Sequence, residues 1–319
     1  MNQVAEVVEA STAPASAWRV ASEWIGNQPV LLMSISMVLW VAIDVFAAGL
    51  LRESPIPQVV WLRYLFHIGL MIAVLGPTAG LSFVRTSRPA LQLSRSLLML
   101  VMPLSFWLAR EWGSVPDVMG VFSLGPAVVV IGVPLIMAGR SRRALFAALL
   151  GWLGTVVIYS PSFHSWPSML AGLAMAVSLG SYILLTSVLD RTEGVLTNLF
   201  WSALGVFIVL TLALPLHWQP ISIQGVVTAM IVAIAGWVTL AAMDLALRRW
   251  PPTALASLLF IQPVLDVFVR AALHGHVPNT HDSAGLLILL AAIGIGVGAG
   301  IGEAAPIRSQ SSPGSDPRV

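Results

Sequence analysis

Apolar runs of about 20 residues recur along nearly the whole chain, broken by short segments rich in Arg, Pro and Gly. A helix rises about 1.5 Å per residue, so each run is long enough to cross a hydrocarbon core roughly 30 Å thick. Set against the turn signals, the runs predict helices over 29–51, 58–77, 92–111, 117–138, 144–161, 167–188, 195–215, 224–247, 252–272 and 283–303. The expected fold class is therefore all-α: a polytopic membrane protein with ten transmembrane helices. Loops such as Gly139-Arg140-Ser141-Arg142-Arg143 leave little room for structure outside the bilayer.

Composition strengthens this picture. The chain is 57% hydrophobic and only 9% charged, far from a soluble protein, and no separate soluble domain is left over. The basic residues are all Arg, and they segregate with the alternation of spans. Arg19, Arg85, Arg88, Arg95, Arg140, Arg142, Arg143, Arg191, Arg248, Arg249, Arg308 and Arg318 fall on one side. Arg52, Arg110 and Arg270 fall on the other, and Arg63 lies inside a span. Positive charge marks the cytoplasmic side, so both termini are expected in the cytoplasm and the protein in a cell inner (plasma) membrane. The basic balance is thus a topology signal and gives no reason to expect nucleic acid as a partner.

With no Cys, disulfides, thiolate nucleophiles and Cys-ligated metals drop out. Glu6, Glu9 and Glu23 precede the first apolar run, so residues 1–28 read as a cytoplasmic tail and not as a cleaved signal peptide. Residues 304–319, with the run Ser309-Gln310-Ser311-Ser312-Pro313-Gly314-Ser315, read as a disordered cytoplasmic tail.

A weak internal repeat has a period of about 137 residues. Leu108-Ala109 leads on to Leu124-Gly125-Pro126, and Leu245-Ala246 leads on to Ile261-Gln262-Pro263 at the same spacing. It divides the chain into helices 1–5 (29–161) and helices 6–10 (167–303). Five crossings per unit make the second copy enter from the opposite side, so the repeats are inverted. Inverted repeats suit secondary transporters, because two copies can rock about a shared site and open it to each side in turn.

The stretch Gln58-Val59-Val60-Trp61-Leu62-Arg63-Tyr64-Leu65-Phe66-His67 resembles the second-helix signature of one branch of the EamA-type transporters, which belong to the drug/metabolite transporter (DMT) superfamily. Arg88-Pro89-Ala90-Leu91-Gln92-Leu93-Ser94-Arg95-Ser96-Leu97-Leu98 resembles the entry to that family's third helix, and the Pro126 and Pro263 segments resemble its fourth and ninth. The resemblance covers roughly residues 30–300. It implies two five-helix EamA-like repeats, cytoplasmic termini and transport of amino acids, nucleoside-like compounds, vitamins or other small metabolites. It assigns no single substrate, since one fold hosts many. The Glu that the family carries after its fourth and ninth helices is replaced here by Ala138-Gly139-Arg140 and Leu273-His274-Gly275-His276, so its role does not carry over.

Charge inside the spans is the sharpest functional signal, because an ionised side chain at the bilayer centre costs at least about 2.5–3.5 kcal/mol unless paired or hydrated. Asp44 and Arg63 lie on the order of 8–10 Å below the outer boundary and are placed to pair between the first two spans, as a structural bridge or as part of a substrate site. His67, one turn from Arg63 and roughly 14 Å deep, is a candidate for substrate or proton contact, or a packing residue. Asp266 precedes Arg270 by one turn, which predicts an intrahelical pair near the outer surface. Pro126 and Pro263 each remove a helical hydrogen bond near mid-bilayer, and kinks at equivalent points of two repeats expose backbone to a central cavity. Gln262 adds a donor and acceptor at that depth.

Among the Trp residues, Trp24, Trp112, Trp166, Trp218 and Trp250 read as interfacial anchors, while Trp40, Trp107, Trp201 and Trp237 lie deeper. Trp40 and Trp107 are candidates to stack on a flat or cationic substrate. Gly294, Gly296, Gly298 and Gly300 follow no strand and read as a close-packing face of the last helix. No P-loop occurs, so gradients of substrate or of protons, the candidate coupling ion, are expected to drive transport. His274, His276, His281 and Asp282 form at best a weak metal site in one loop, and no cofactor is expected.

The leading expectation is a secondary transporter of a small organic metabolite, a monomer or homodimer in the lipid bilayer. The candidate substrate site is Trp40, Asp44, Arg63, His67, Trp107, Pro126, Gln262, Pro263 and Asp266. The alternatives are a membrane-embedded enzyme, for which no convergent nucleophile, base or metal set is visible, and a non-transporting scaffold.

Overall fold

Most of the apolar runs begin where proline or a capping serine sets a helix going. In the computed structural model, which describes residues 28–309 apart from 113, 138–140, 217 and 276, ten helices are long and apolar enough to cross a membrane. They are α1 (Pro29–Leu50), α2 (Ile56–Ala79), α3 (Pro89–Trp112), a divided α4 (Val115–Phe122 and Gly125–Ile136), α5 (Arg142–Tyr159), α6 (Trp166–Leu189), α7 (Val195–Ala213) and α8 (Ile223–Leu247). A divided α9 follows as Pro252–Ala256, a 3₁₀ turn Ser257–Phe260 and Ile261–His274, and α10 (Thr280–Ser309) closes the bundle. No strand occurs among the described residues. The predicted N-terminal tail lies outside them except for Gln28, whereas residues 304–309 of the predicted disordered C-terminal tail continue α10 and the remainder lies outside.

The ends of these helices obey local chemistry. Proline occupies the first turn of α1, α2, α4, α6 and α9, where its missing N–H costs nothing. Ser114, Ser141, Ser165 and Ser222 each accept a backbone N–H at the start of α4, α5, α6 and α8. Gly275 ends α9 in the left-handed conformation at φ 63°, which only glycine adopts without strain. The outward surface stays apolar, with Leu135 and Ile223 both 86% exposed, as it must be where hydrocarbon and not water is the solvent.

Ten crossings return the chain to the face where it started. We call the face where α1 begins and α10 ends proximal, and the other distal. The helix pairing shows how the halves fit. α1 packs on α8 and α3 on α6; α2 packs on α8 and α3 on α7; α2 meets α7, and α5 meets α10. Exchange of each helix in the first five for its counterpart in the second five maps this pattern onto itself, which is the contact signature of two inverted repeats. Pro29 and Trp166, Val115 and Pro252, and Pro126 and Pro263 are separated by the same number of residues, so the helix starts keep the repeat that the sequence shows faintly.

Two sequence expectations change. Arg95, counted as a charge marking the cytoplasmic side, sits nearly two turns inside α3 and is 0% exposed. The α3 helix begins three residues before the predicted start, because Pro89 favours a first helical turn. The four alternate glycines of α10 do not share one face either. A side chain at Gly296 would strike Ser257, and one at Gly300 would strike Ala254, whereas Gly294 and Gly298 meet nothing. Positions four apart align on a helix and positions two apart do not, so only Gly296 and Gly300 allow α10 to approach α9 closely.

Candidate functional site

Proline at position i leaves the carbonyl of residue i−4 without its helical donor. Pro126 frees Phe122 in this way and Pro263 frees Leu259, and α4 and α9 are interrupted at just these places. The α4 break is compensated locally. The Gly120 carbonyl accepts from Trp152 Nε1 (3.0 Å) and from Ser123 Oγ (2.9 Å). The two interruptions face each other across the middle of the bundle. Between them lies a pocket with about 480 Å³ of atom-free space, its mouth included. Met37 and Trp40 of α1, Thr155 and Tyr159 of α5, and Leu179 of α6 complete a wall that also holds Met119, Phe122, Ser123, Pro126, Leu259, Phe260, Gln262 and Pro263. The lining runs from mid-membrane to Tyr159, the last residue of α5, so the pocket occupies the distal half of the bundle.

Charged groups gather at its distal end. The Tyr159 hydroxyl, itself part of the wall, donates to the Asp266 carboxylate. Asp44, one turn beyond Trp40, lies within electrostatic reach of Asp266, Arg63 and Tyr159. Asp44 is exposed and yet has these groups on several sides, as a side chain lining a crevice does. Arg63 rests against α8 where Gly236 leaves room: a Cβ on Gly236 would come within 2.7 Å of Arg63 Nη2. The Arg63 Nε is buried without a hydrogen-bond partner.

The sequence-derived candidates therefore separate. Trp40, Pro126, Gln262 and Pro263 line the pocket, and Asp44 and Asp266 border it. The expected Asp44–Arg63 ion pair does not form, because Arg63 turns onto Gly236. The expected Asp266–Arg270 pair is replaced as well: Arg270 Nη2 lies 3.3 Å from Asp282 Oδ1, and its guanidinium covers the Tyr159 ring at 5.6 Å. Asp282 is held for that task by a reciprocal cap with Asn279 at the start of α10. His67 is not in the pocket; it is 1% exposed, packed beside Tyr64 and against the Leu199 backbone of α7. Trp107 lies on α3, but its side chain is outside the described residues, as are those of Trp24, Trp112, His274 and His276. Among the described residues no group of His, Cys, Asp or Glu is placed to hold a metal.

The proximal end carries a polar network that sequence reasoning missed. Arg95 of α3 donates to Thr186 Oγ1 of α6 (3.0 Å), to Ser202 Oγ of α7 (2.6 Å) and to the Asn198 carbonyl, stacks over Tyr182 at 5.1 Å, and lies 3.6 Å from Asp244 Oδ1 of α8. Asn198 Nδ2 donates to Asp190 Oδ1 (2.8 Å) and Asp244 Oδ1 (3.2 Å), and its carbonyl oxygen accepts from Gln92 Nε2 (2.8 Å). Arg248 pairs with Asp190 Oδ1 at 2.9 Å and donates to the Glu193 carbonyl at 2.7 Å. Glu193, in the α6–α7 loop, accepts from Thr86 Oγ1 (2.9 Å), Ser87 N (2.8 Å) and Ser87 Oγ (2.7 Å). Burial pushes the Glu193 carboxyl up, but the Ser87 and Thr86 donors outweigh it and hold the group below its ordinary value. The one available signal was the placement of Arg95, Asp190 and Asp244 each within two turns of a predicted helix end. Asp117 was missed as well; it is fully buried and accepts from Phe163 N (2.9 Å) and Ser162 Oγ (3.1 Å), which fastens the α5–α6 loop to α4.

No protein-family model and no curated protein matches the chain. Solved structures do: 29 chains match, and one recorded only as a "Crystal structure of protein" superposes with a TM-score of 0.75 at 17% identity, over 86% of this chain and 99% of that one. At that identity the likeness shows a shared fold and nothing about cargo. Fold and site together define a multi-pass, all-α membrane protein with a pocket between two broken helices.

Proposed function

We propose that the chain is a secondary transporter that moves a small organic metabolite through this pocket by alternating access. The observation that carries the reading is the pair of helix interruptions at equivalent points of the two repeats, meeting at a mid-membrane pocket. Discontinuous helices supply unpaired backbone to a cargo without exposing it to lipid, and a site on the pseudo-symmetry axis can be reached from either face as the halves rock. The pocket lies in the distal half of the bundle, and a continuous polar network joins the helices at the proximal end. The arginine distribution favours the proximal face as the cytoplasmic one, which supports reading this arrangement as outward-facing. The same features support the EamA-type reading of the helix-two and helix-three motifs.

A metabolite library screened by thermal stability of the purified protein identifies the cargo, because a ligand that favours the folded state raises its apparent melting temperature. Liposomes containing only this protein are then expected to show saturable, cargo-dependent flux. Ser123→Trp, which fills the pocket at the α4 break, is expected to abolish flux while folded yield stays near wild type. Absence of flux for every stabilising ligand would remove the transporter reading in favour of an enzyme or scaffold.

A further inference from the structure

We infer that the pocket takes an organic monocation: a protonated amine or quaternary ammonium with an apolar, preferably aromatic body. This rests on the transporter reading only in using the same pocket, since it is an inference about binding. The walls are aromatic rings, thioethers and aliphatic side chains, including Trp40, Phe122, Tyr159 and Phe260. Ring faces attract cations through their quadrupole, and apolar walls take up an apolar body.

The charge at the distal end points the same way. Two carboxylates adjoin the wall: Asp266 bonds to Tyr159, and Asp44 lies one turn beyond Trp40. Arg270 is committed to Asp282. Arg63 lies against Gly236 of α8 and is not part of the wall, whereas Asp266 is hydrogen-bonded to Tyr159, which is. A cargo seated between the broken helices is therefore bordered by carboxylates, while Arg270 is held by Asp282 and Arg63 is turned toward Gly236. A carboxylate in a membrane span is costly to ionise, and a bound cation relieves that cost.

Purified protein in detergent provides the test, with benzyltrimethylammonium, phenylacetate and phenylalanine as matched cationic, anionic and zwitterionic probes. The cation is expected to raise the apparent melting temperature saturably, and phenylacetate to have no effect. Asp266→Asn and Asp44→Asn are each expected to weaken cation affinity by about tenfold or more, the loss of one charge contact at short range. Asp44 has no hydrogen bond among the described residues, so its variant keeps the test open if Asp266→Asn folds poorly. Arg63→Ala is expected to tighten cation binding, because it removes a repelling charge; an anionic or zwitterionic cargo would instead bind more weakly. Stronger stabilisation by phenylacetate or phenylalanine, or unchanged cation affinity in Asp44→Asn, overturns the inference. Cation binding without flux would defeat the transporter reading alone, and flux of an anion without cation binding would defeat this inference alone.

Discussion

The two ends of the bundle are built from equivalent pieces and finished differently. At the proximal end the α6–α7 loop offers Glu193 to Thr86 and Ser87 just before α3. At the distal end the counterpart α1–α2 loop offers Glu53 to Ser222 just before α8, in a single bond of 3.0 Å. Beneath Glu193, Arg95, Asp190, Asn198, Asp244 and Arg248 join α3, α6, α7 and α8 in one continuous network. At the distal end Gln58 and Gln219 bond reciprocally (2.7 and 2.9 Å), but Asp44 and Arg63 form no ion pair among the described residues. Inverted repeats give both ends the same helices, so it is side-chain choice that closes one and leaves the other able to receive a ligand. A buried ion pair adds little net stability over an apolar pair, but it fixes one arrangement, which is what a closed face requires.

Breaking the network should separate the ends most clearly. Asp244→Ala removes the carboxylate 3.6 Å from the buried Arg95 guanidinium, and the expected loss is about 3–5 kcal/mol. Asp44→Ala at the distal end removes a residue without hydrogen bonds among the described residues and should stay within about 0.5 kcal/mol. Unfolding of both variants in detergent checks the contrast, and equal losses would show that the ends are alike in strength.

Glu193→Gln should cost about 1.5–3 kcal/mol, the range for hydrogen bonds to a charged group. The pH dependence has a defined sign. Because the folded Glu193 carboxyl is held below its ordinary value of 4.5, its contribution is complete above that value and is lost as pH falls through the lower, folded one. Melting temperature followed downward from pH 6 should therefore fall more steeply in wild type than in Glu193→Gln.

Gly236→Ala places a methyl 2.7 Å from Arg63 Nη2, so the flexible arginine must shift. A loss of about 1 kcal/mol is expected, at the low end for overpacking, together with altered affinity at the pocket. Glu53→Gln, with one exposed bond, should change stability by no more than about 0.5 kcal/mol. A larger effect there would mean that the distal end is fastened more firmly than its contacts suggest.

Of the candidate site, proline and depth were legible and pairing was not. Pro126 and Pro263 could be located because proline acts on its own helix, whatever surrounds it. Asp44, Arg63 and Asp266 could be found because charge in a span is conspicuous, but their partners could not. Arg63 answers to Gly236 on α8, Asp266 to Tyr159 on α5, and Arg270 to Asp282 on α10, each on a different helix. The Arg95 network was missed for the complementary reason: an arginine near a helix start looks like a topology marker until four helices are seen to converge on it.

The sequence by itself determined the number of helices, their approximate limits, the repeat, and the two points at which backbone hydrogen bonding fails. All of these depend on hydropathy and on single residues acting within one helix. Only the tertiary structure decided which end is closed and which charges remain unpaired. Both depend on side chains of helices far apart in sequence, and a helix in lipid carries no one-sided apolar pattern to announce its neighbours.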